Sequence, residues 1–279
     1  MVGESYRQID NQPNEYIYCQ RYVRANQQWE AEKLLTLGGT DNYKPAMITD
    51  QTGNIWVFWY SSRQIDKQRN QDIYYRRYTK DWEPEKRLTT AVENDYYPTA
   101  TVDSSGNIWA FWQSFRQIDQ IQNEDIYYIY FTGNPPKWSN EFRFTYEDNL
   151  DEQPLALTTR RGETWLFWLS DRSGSRDIWY QRIWSNDTQL NTGTSWIWNY
   201  QVIEDSRGDL WVFWQDNNGL YYKHYTGSWG LTTQLVTNSV AYFAVTESIT
   251  GSVTISWIQQ AKPGIQNYKI LQQQLITAI

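Results

Sequence analysis

The chain has 279 residues, with 25 basic against 32 acidic side chains, a formal charge of −7, one cysteine and one histidine. Those counts exclude an internal disulfide and a cysteine-based metal site, and they leave too little histidine for a His-rich metal centre or a Ser-His-Asp triad. No basic run tracks phosphates, no apolar stretch is long enough to span a bilayer, and no signal peptide is read at 1–10, so neither nucleic-acid binding nor membrane insertion is expected.

The compositional outlier is aromatic: 17 Trp, 22 Tyr and 9 Phe. Their placement is periodic. The chain opens in the middle of a unit, where 7–10 (RQID) precedes a strand pattern at 16–22 (YIYCQRY) and an outer-strand pattern at 32–36 (EKLLT). Cys19 sits in that alternating strand and reads as a half-buried structural thiol. The first full copy then runs from Pro45. PAMIT (45–49) is a short apolar strand, DQTG (50–53) a turn, and NIWVFWY (54–60) a strand apolar on both faces. A polar loop is expected at 61–71, a third strand at 72–78 (DIYYRRY), a turn carrying Trp82, and an outer strand at 85–90.

The segment GNIWVFW (53–59) returns as GNIWAFW (106–112), GETWLFW (162–168) and GDLWVFW (208–214), with a faded copy GSVTISW at 251–257. A repeat of this length marks a stacked or radial array of one supersecondary unit. Four antiparallel strands per period predict an all-β chain forming a β-propeller of four-stranded blades, as one domain over 1–279. The units fall at about 1–44, 45–97, 98–153, 154–199, 200–242 and 243–279. Joining the N-terminal strands to those at 243–257 would complete one composite blade and give five. A further strand pattern at 268–275 (YKILQQQL) keeps six blades open as the alternative.

The Asp-x-x-Gly turn has a local cause. Asp50, Asp103 and Asp205 accept from backbone amides two residues on, and Gly53, Gly106 and Gly208 supply the positive φ of the hairpin. Thr159 takes the acid's place before Gly162. These acids read as turn-formers. The paired tryptophans of the second strands (Trp56, Trp59, Trp109, Trp112, Trp165, Trp168, Trp211 and Trp214) read as packing between neighbouring sheets.

Taken together, Pro98, Asp103, Gly106, Trp109, Trp112, Ser114, Arg116, 125–128 (DIYY), Trp138 and 144–145 (FT) resemble the sialidase-type repeat of many secreted propellers. The resemblance covers nearly the whole chain and implies the fold; extracellular placement is suspected from it alone. The sialidase Asp-box is one residue shorter, the Arg-Ile-Pro motif is missing, and the family's catalytic residues match no positions here. The resemblance therefore implies a non-catalytic member.

Two columns of residues are candidates for recognition. Arg63, Arg116 and Arg172 each lie four residues after a repeat Trp, and Asn42, Asp95 and Asp151 each lie three before the repeat Pro. In a meander blade both columns fall on one face, with Arg7 extending the first. Both stop at Ile197, Asn218, Val240 and Ala261. Each Arg is expected to pair with an Asp or Asn of an adjacent blade, and its remaining N–H groups to grip hydroxyls or acidic groups of a glycan. Tyr96 and Tyr97, beside Asp95, offer ring faces to a sugar. The expected function is a non-enzymatic, carbohydrate-binding propeller whose ligand is a glycan or a protein surface. A glycoside hydrolase using Asp95, Asp151 and Glu152, and a protein-interaction scaffold, are the alternatives. No cofactor follows from the sequence, since the loop carboxylates lack a dense ligand spacing for calcium.

Overall fold

Strand and turn patterning resolves into the expected β-architecture. The computed structural model describes every residue except 10–11, 37–39, 66–67, 119–120, 134, 194, 239, 249–250, 261–267 and 276–279. Among the described residues there are strands and turns and no helix, so none is long and apolar enough to cross a membrane as a helix. Two compact units emerge: Met1–Thr158 with Gly162–Trp168 and Arg182–Ser185, and Thr159–Arg161 with Leu169–Gln181 and Asn186–Ile279.

Among the described residues the first unit contains three sheets of three or more strands, besides a two-stranded ribbon of Tyr22–Val23 and Gln28–Trp29. The most regular is an antiparallel meander of Asp41–Thr49, Ile55–Ile65, Gln68–Tyr78 and Lys86–Arg87, in that spatial order. The next repeats it with Asp95–Val102, Ile108–Ile118 and Ile121–Gly133, its outer position shared by Pro136–Trp138 and Phe142–Arg143. The N-terminal sheet has three strands: Val2–Ile9, Gln12–Cys19 and Lys33–Leu34. A further sheet comprises Asp151–Thr158, Thr164–Ser170, Asp177–Arg182 and Thr188–Gln189. In the second unit lie a four-stranded sheet (Asn199–Glu204, Leu210–Asp216, Gly219–Tyr225, Thr233–Val236) and a three-stranded one (Tyr242–Glu247, Val253–Gln260, Tyr268–Leu275).

Period-two alternation sends the two apolar faces of each second strand to different neighbours. Trp56 and Phe58 pack with Ala100, Ala110, Trp112 and Tyr127 of the following sheet, whereas Val57 and Trp59 pack with Ile17 and Leu35 of the preceding one. In the second unit, Trp211 and Phe213 likewise meet Phe243, Val253, Ile255 and Trp257. Seven of the eight paired tryptophans are buried; Trp109 is half-buried.

Two expectations change. Where one composite blade was expected to draw strands from both ends, the strand Val2–Ile9 pairs with Gln12–Cys19 along its whole length, and Tyr268–Leu275 pairs with Val253–Gln260. Each end of the chain thus builds a sheet of its own, because a complete antiparallel partner is available next to it in sequence. In the polar stretch expected as a loop, 61–65 and 68–71 are strand. Strand Ile55–Ile65 runs on through Arg63, which lies opposite Asn70, and Arg116 lies opposite Asn123 in the next sheet. Backbone ladders need no apolar side chains, so hydrophobic pattern loses the strand where the hairpin leaves the core.

Candidate functional site

Once 59–63 is read as strand, Trp59, Ser61 and Arg63 form one row on one face, as do Trp112, Ser114 and Arg116. Each guanidinium is held in the same way. Arg63 Nε donates to Ser61 Oγ (3.0 Å), the guanidinium lies 3.9 Å over the Tyr74 ring, and it pairs with Glu85 at 2.5 Å. Arg116 donates to Ser114 Oγ (2.8 Å), lies 4.0 Å over Tyr127 and pairs with Glu141 at 2.7 Å. Arg172, in the turn after its strand, donates to Ser170 Oγ (3.0 Å), covers Trp179 at 4.6 Å and pairs with Asp187. Arg7 repeats the scheme with Ser5, Tyr18 and Glu32.

The nearest partner acid is therefore the residue just before the outer strand of the same sheet, and Arg116 in addition lies 3.7 Å from the expected Asp95, which belongs to its own sheet. Glu32, Glu85, Glu141 and Asp187 were not singled out by the sequence reading. Their signal is positional: each immediately precedes a short outer strand. The invariant loop RQID ends at Asp10, Asp66 and Asp119, which lie outside the described residues.

The second column serves the tryptophans. Trp59 Nε1 donates to Asn42 Oδ1 (3.1 Å), Trp112 Nε1 to Asp95 Oδ1 (3.0 Å) and Trp168 Nε1 to Asp151 Oδ1 (3.1 Å), always across 17 residues. Asn42, Asp95 and Asp151 have no exposed surface, so these side chains brace the framework from within and present nothing to a ligand in this arrangement. Where Val240 takes the position, Trp257 buries its indole N–H with no acceptor among the described residues. Burial pushes the Asp95 carboxyl up to about 6, against Ser114 and Arg116, which favour its ionised form.

The turn acids hold the other tryptophan of each pair. Asp50 Oδ1 accepts from the Thr52 and Asn54 amides (both 2.9 Å) while Oδ2 accepts from Trp56 Nε1 (2.9 Å); Asp103 does the same for Ser105, Asn107 and Trp109. Burial opposes ionisation of Asp50, but its hydrogen bonds from Thr52, Trp56 and Asn54 outweigh it and hold the carboxyl well below the ordinary range. The glycines of these turns have φ of 83°, 85° and 84° at Gly53, Gly106 and Gly208, as the turn chemistry requires.

What remains for recognition lies at the repeat prolines. Tyr43 and Tyr60 pair, then Ala46 and Phe58, so Lys44 and Pro45 together oppose the single residue Trp59. Tyr97 and Pro98 oppose Trp112 in the same way. At these bulges Lys44 and Tyr97 adopt left-handed backbone, with φ of 51° and 48°, as does Gln153 before Pro154, with φ 51°. For non-glycine residues that costs about 1–2 kcal/mol each. The sheet beginning at Asn199 has no such proline, and its ladder from Asn199 to Glu204 is regular.

The bulges of the first unit, with Gly3 and Glu4, surround a shallow cavity of about 400 Å3 lined by Glu4, Lys44, Tyr97, Gln153 and Pro45, Pro98 and Pro154. Glu4 accepts from the Lys44 amide (2.7 Å), and the Lys44 ammonium lies 5.7 Å from the Tyr97 ring centre. Tyr60 sits behind, its ring within 5.2–6.1 Å of Tyr43, Tyr96 and Tyr97. Burial, then the neighbouring Tyr97 and Tyr43, raise the Tyr60 hydroxyl far above its ordinary value, so it stays a neutral donor. Of the residues anticipated from sequence, Tyr97 lines this cavity and Tyr96 stands beside it; the three arginines do not line it.

No protein-family model matches the sequence, and no curated protein matches it. Solved structures do resemble the fold. A Hadza microbial sialidase, Hz136, superimposes with a TM-score of 0.59 at 14% identity, covering 83% of this chain and 56% of that one. NanB sialidase from Streptococcus pneumoniae gives 0.61 at 9% identity (92% and 62%). The leech intramolecular trans-sialidase, complexed with 2,7-anhydro-Neu5Ac, gives 0.56 at 10% (85% and 61%). The chain thus has a sialidase-like propeller fold and spans less than two thirds of the length of each of these three. At such identities the likeness speaks to fold alone.

Proposed function

We propose that this protein is a carbohydrate-binding propeller that acts without catalysis and takes a glycan at the proline-bulge cavity. The observation that carries the reading is the convergence there of Glu4, Lys44, Tyr97 and Gln153, three of them in strained backbone. Strain of this kind is retained where the surrounding structure enforces it and clusters at binding sites. Tyr97 supplies a ring face, Lys44 a cation for a sugar carboxylate, and Glu4 and Gln153 acceptors for hydroxyls. Tyr96 supports Tyr97 through Tyr60. Arg63, Arg116 and Arg172 keep the sheets beneath in register. The neighbours are sialidases and a trans-sialidase, which supports a saccharide as the ligand class. Six sheets of three or more strands among the described residues support six repeats over five.

The test is a glycan array followed by calorimetry with 3′-sialyllactose and lactose. Tyr97→Ala and Lys44→Ala should each weaken binding at least tenfold while the far-ultraviolet spectrum is unchanged. No glycan bound, or binding indifferent to both substitutions, refutes the site. Release of free sugar from the ligand refutes its non-catalytic character.

A further inference from the structure

A second aromatic site lies at the opposite end of an inner strand, near the Asp103 turn. In the second sheet, Trp56 and Tyr75 are covered by Trp138, which lies edge-on to both at 6.1 and 5.6 Å and donates its N–H to Tyr75 Oη (3.1 Å). Their counterparts one sheet on are Trp109 and Tyr128. The ring that approaches these is Trp184, edge-on at 5.9 and 6.4 Å. It does not close over them: Trp184 is 70% exposed, and Trp109 is the one second-strand tryptophan of the eight left half-buried. Trp184 also stands in left-handed backbone, with φ 69°.

The gap is an open cleft of about 310 Å3 lined by Trp109, Trp184, Thr164, Glu163, Arg182 and Asp103. Its lining carries one cation and two anions. Arg182 pairs with Glu163 at 2.8 Å, both partly exposed, and the Asp103 carboxylate is occupied by Ser105, Asn107 and Trp109. A cleft that offers an exposed indole, a hydroxyl and a self-neutralised donor–acceptor pair suits an uncharged, polyhydroxylated ring.

We propose that the Trp184 cleft is a second saccharide site, which stacks one neutral pyranose on the Trp184 indole while Arg182 and Glu163 bond its hydroxyls. Six residues of strand separate Tyr97 from Asp103, about 20 Å, so this cleft binds independently of the proline-bulge cavity. The inference does not rest on the reading of that cavity.

The experiment titrates the full chain with lactose, cellobiose, mannobiose and xylobiose by calorimetry and saturation-transfer NMR, using wild type, Trp184→Ala, Trp184→Phe and Tyr97→Ala. At least one neutral disaccharide should bind, lose tenfold or more in affinity in Trp184→Ala, recover partly in Trp184→Phe, and be unaffected by Tyr97→Ala. Because Trp184 is exposed, its removal should leave the thermal transition unchanged. Neutral disaccharides that do not bind, or that bind Trp184→Ala as tightly as wild type, overturn the proposal. Loss confined to Tyr97→Ala would overturn it while sparing the cavity.

Discussion

Asp95 allows the framework to be tested through its protons. Its carboxyl is fully buried under Trp112 and titrates near 6, compared with 3.8 for the exposed group. The folded chain therefore holds this proton more tightly than the unfolded one. The associated stability is complete below 3.8 and is lost as pH rises through 6. A difference of about two units corresponds to about 3 kcal/mol. Asp95→Asn removes the titration and keeps the acceptor, and the repeat already contains that solution: Asn42 Oδ1 accepts from Trp59 while its amide donates to Thr40 O (2.7 Å). Urea unfolding followed by tryptophan fluorescence at pH 4, 5, 6, 7 and 8 should show the variant gaining on wild type by about 2–3 kcal/mol between pH 4 and 7. A stability difference that is flat with pH, or that moves in favour of wild type as pH rises, would show that Asp95 is not a buried carboxylate held against its own desolvation.

Three further outcomes follow from the same framework. Trp59→Phe strands the buried Asn42 oxygen and trims a closely packed ring, so it should cost about 2–4 kcal/mol in urea unfolding. Asp103→Ala leaves the Ser105 and Asn107 amides and the Trp109 indole without their acceptor and should cost about 2–4 kcal/mol, more than removal of an exposed ion pair such as Arg21–Glu30. His224 stacks on Trp211 at 3.7 Å, and burial, opposed by Asp209, lowers its pKa. Its contribution to stability is thus present above the unfolded value and lost as pH falls below it; acid unfolding of His224→Phe should begin at lower pH than that of wild type.

The site was less legible than the fold, and particular residues show why. Arg63 and Arg116 were recognisable as a column, but their composition reads as loop. Only the ladder to Asn70 and Asn123 reveals a strand whose alternation puts each arginine over a tyrosine. Asn42, Asp95 and Asp151 were recognisable as repeated polar positions. A spacing of 17 from each Trp was present in the sequence, yet a hydrogen bond across a β-bulge has no one-dimensional signature. Lys44 and Gln153 carried no signal, since nothing local marks a residue before proline as left-handed, and Glu4 reaches the Lys44 amide only through a contact 40 residues away in sequence.

The amino-acid order by itself determined the repeating strand unit, the Asp-x-x-Gly turns and the burial of paired tryptophans, because alternation, turn propensity and aromatic periodicity act over a few neighbouring residues. Tertiary structure alone decided which acid each arginine meets, which polar groups disappear beneath the indoles, and where Trp184 stays exposed beside Trp109. Those outcomes depend on register and on contacts between sheets, where a shift of one residue exchanges the buried face for the exposed one.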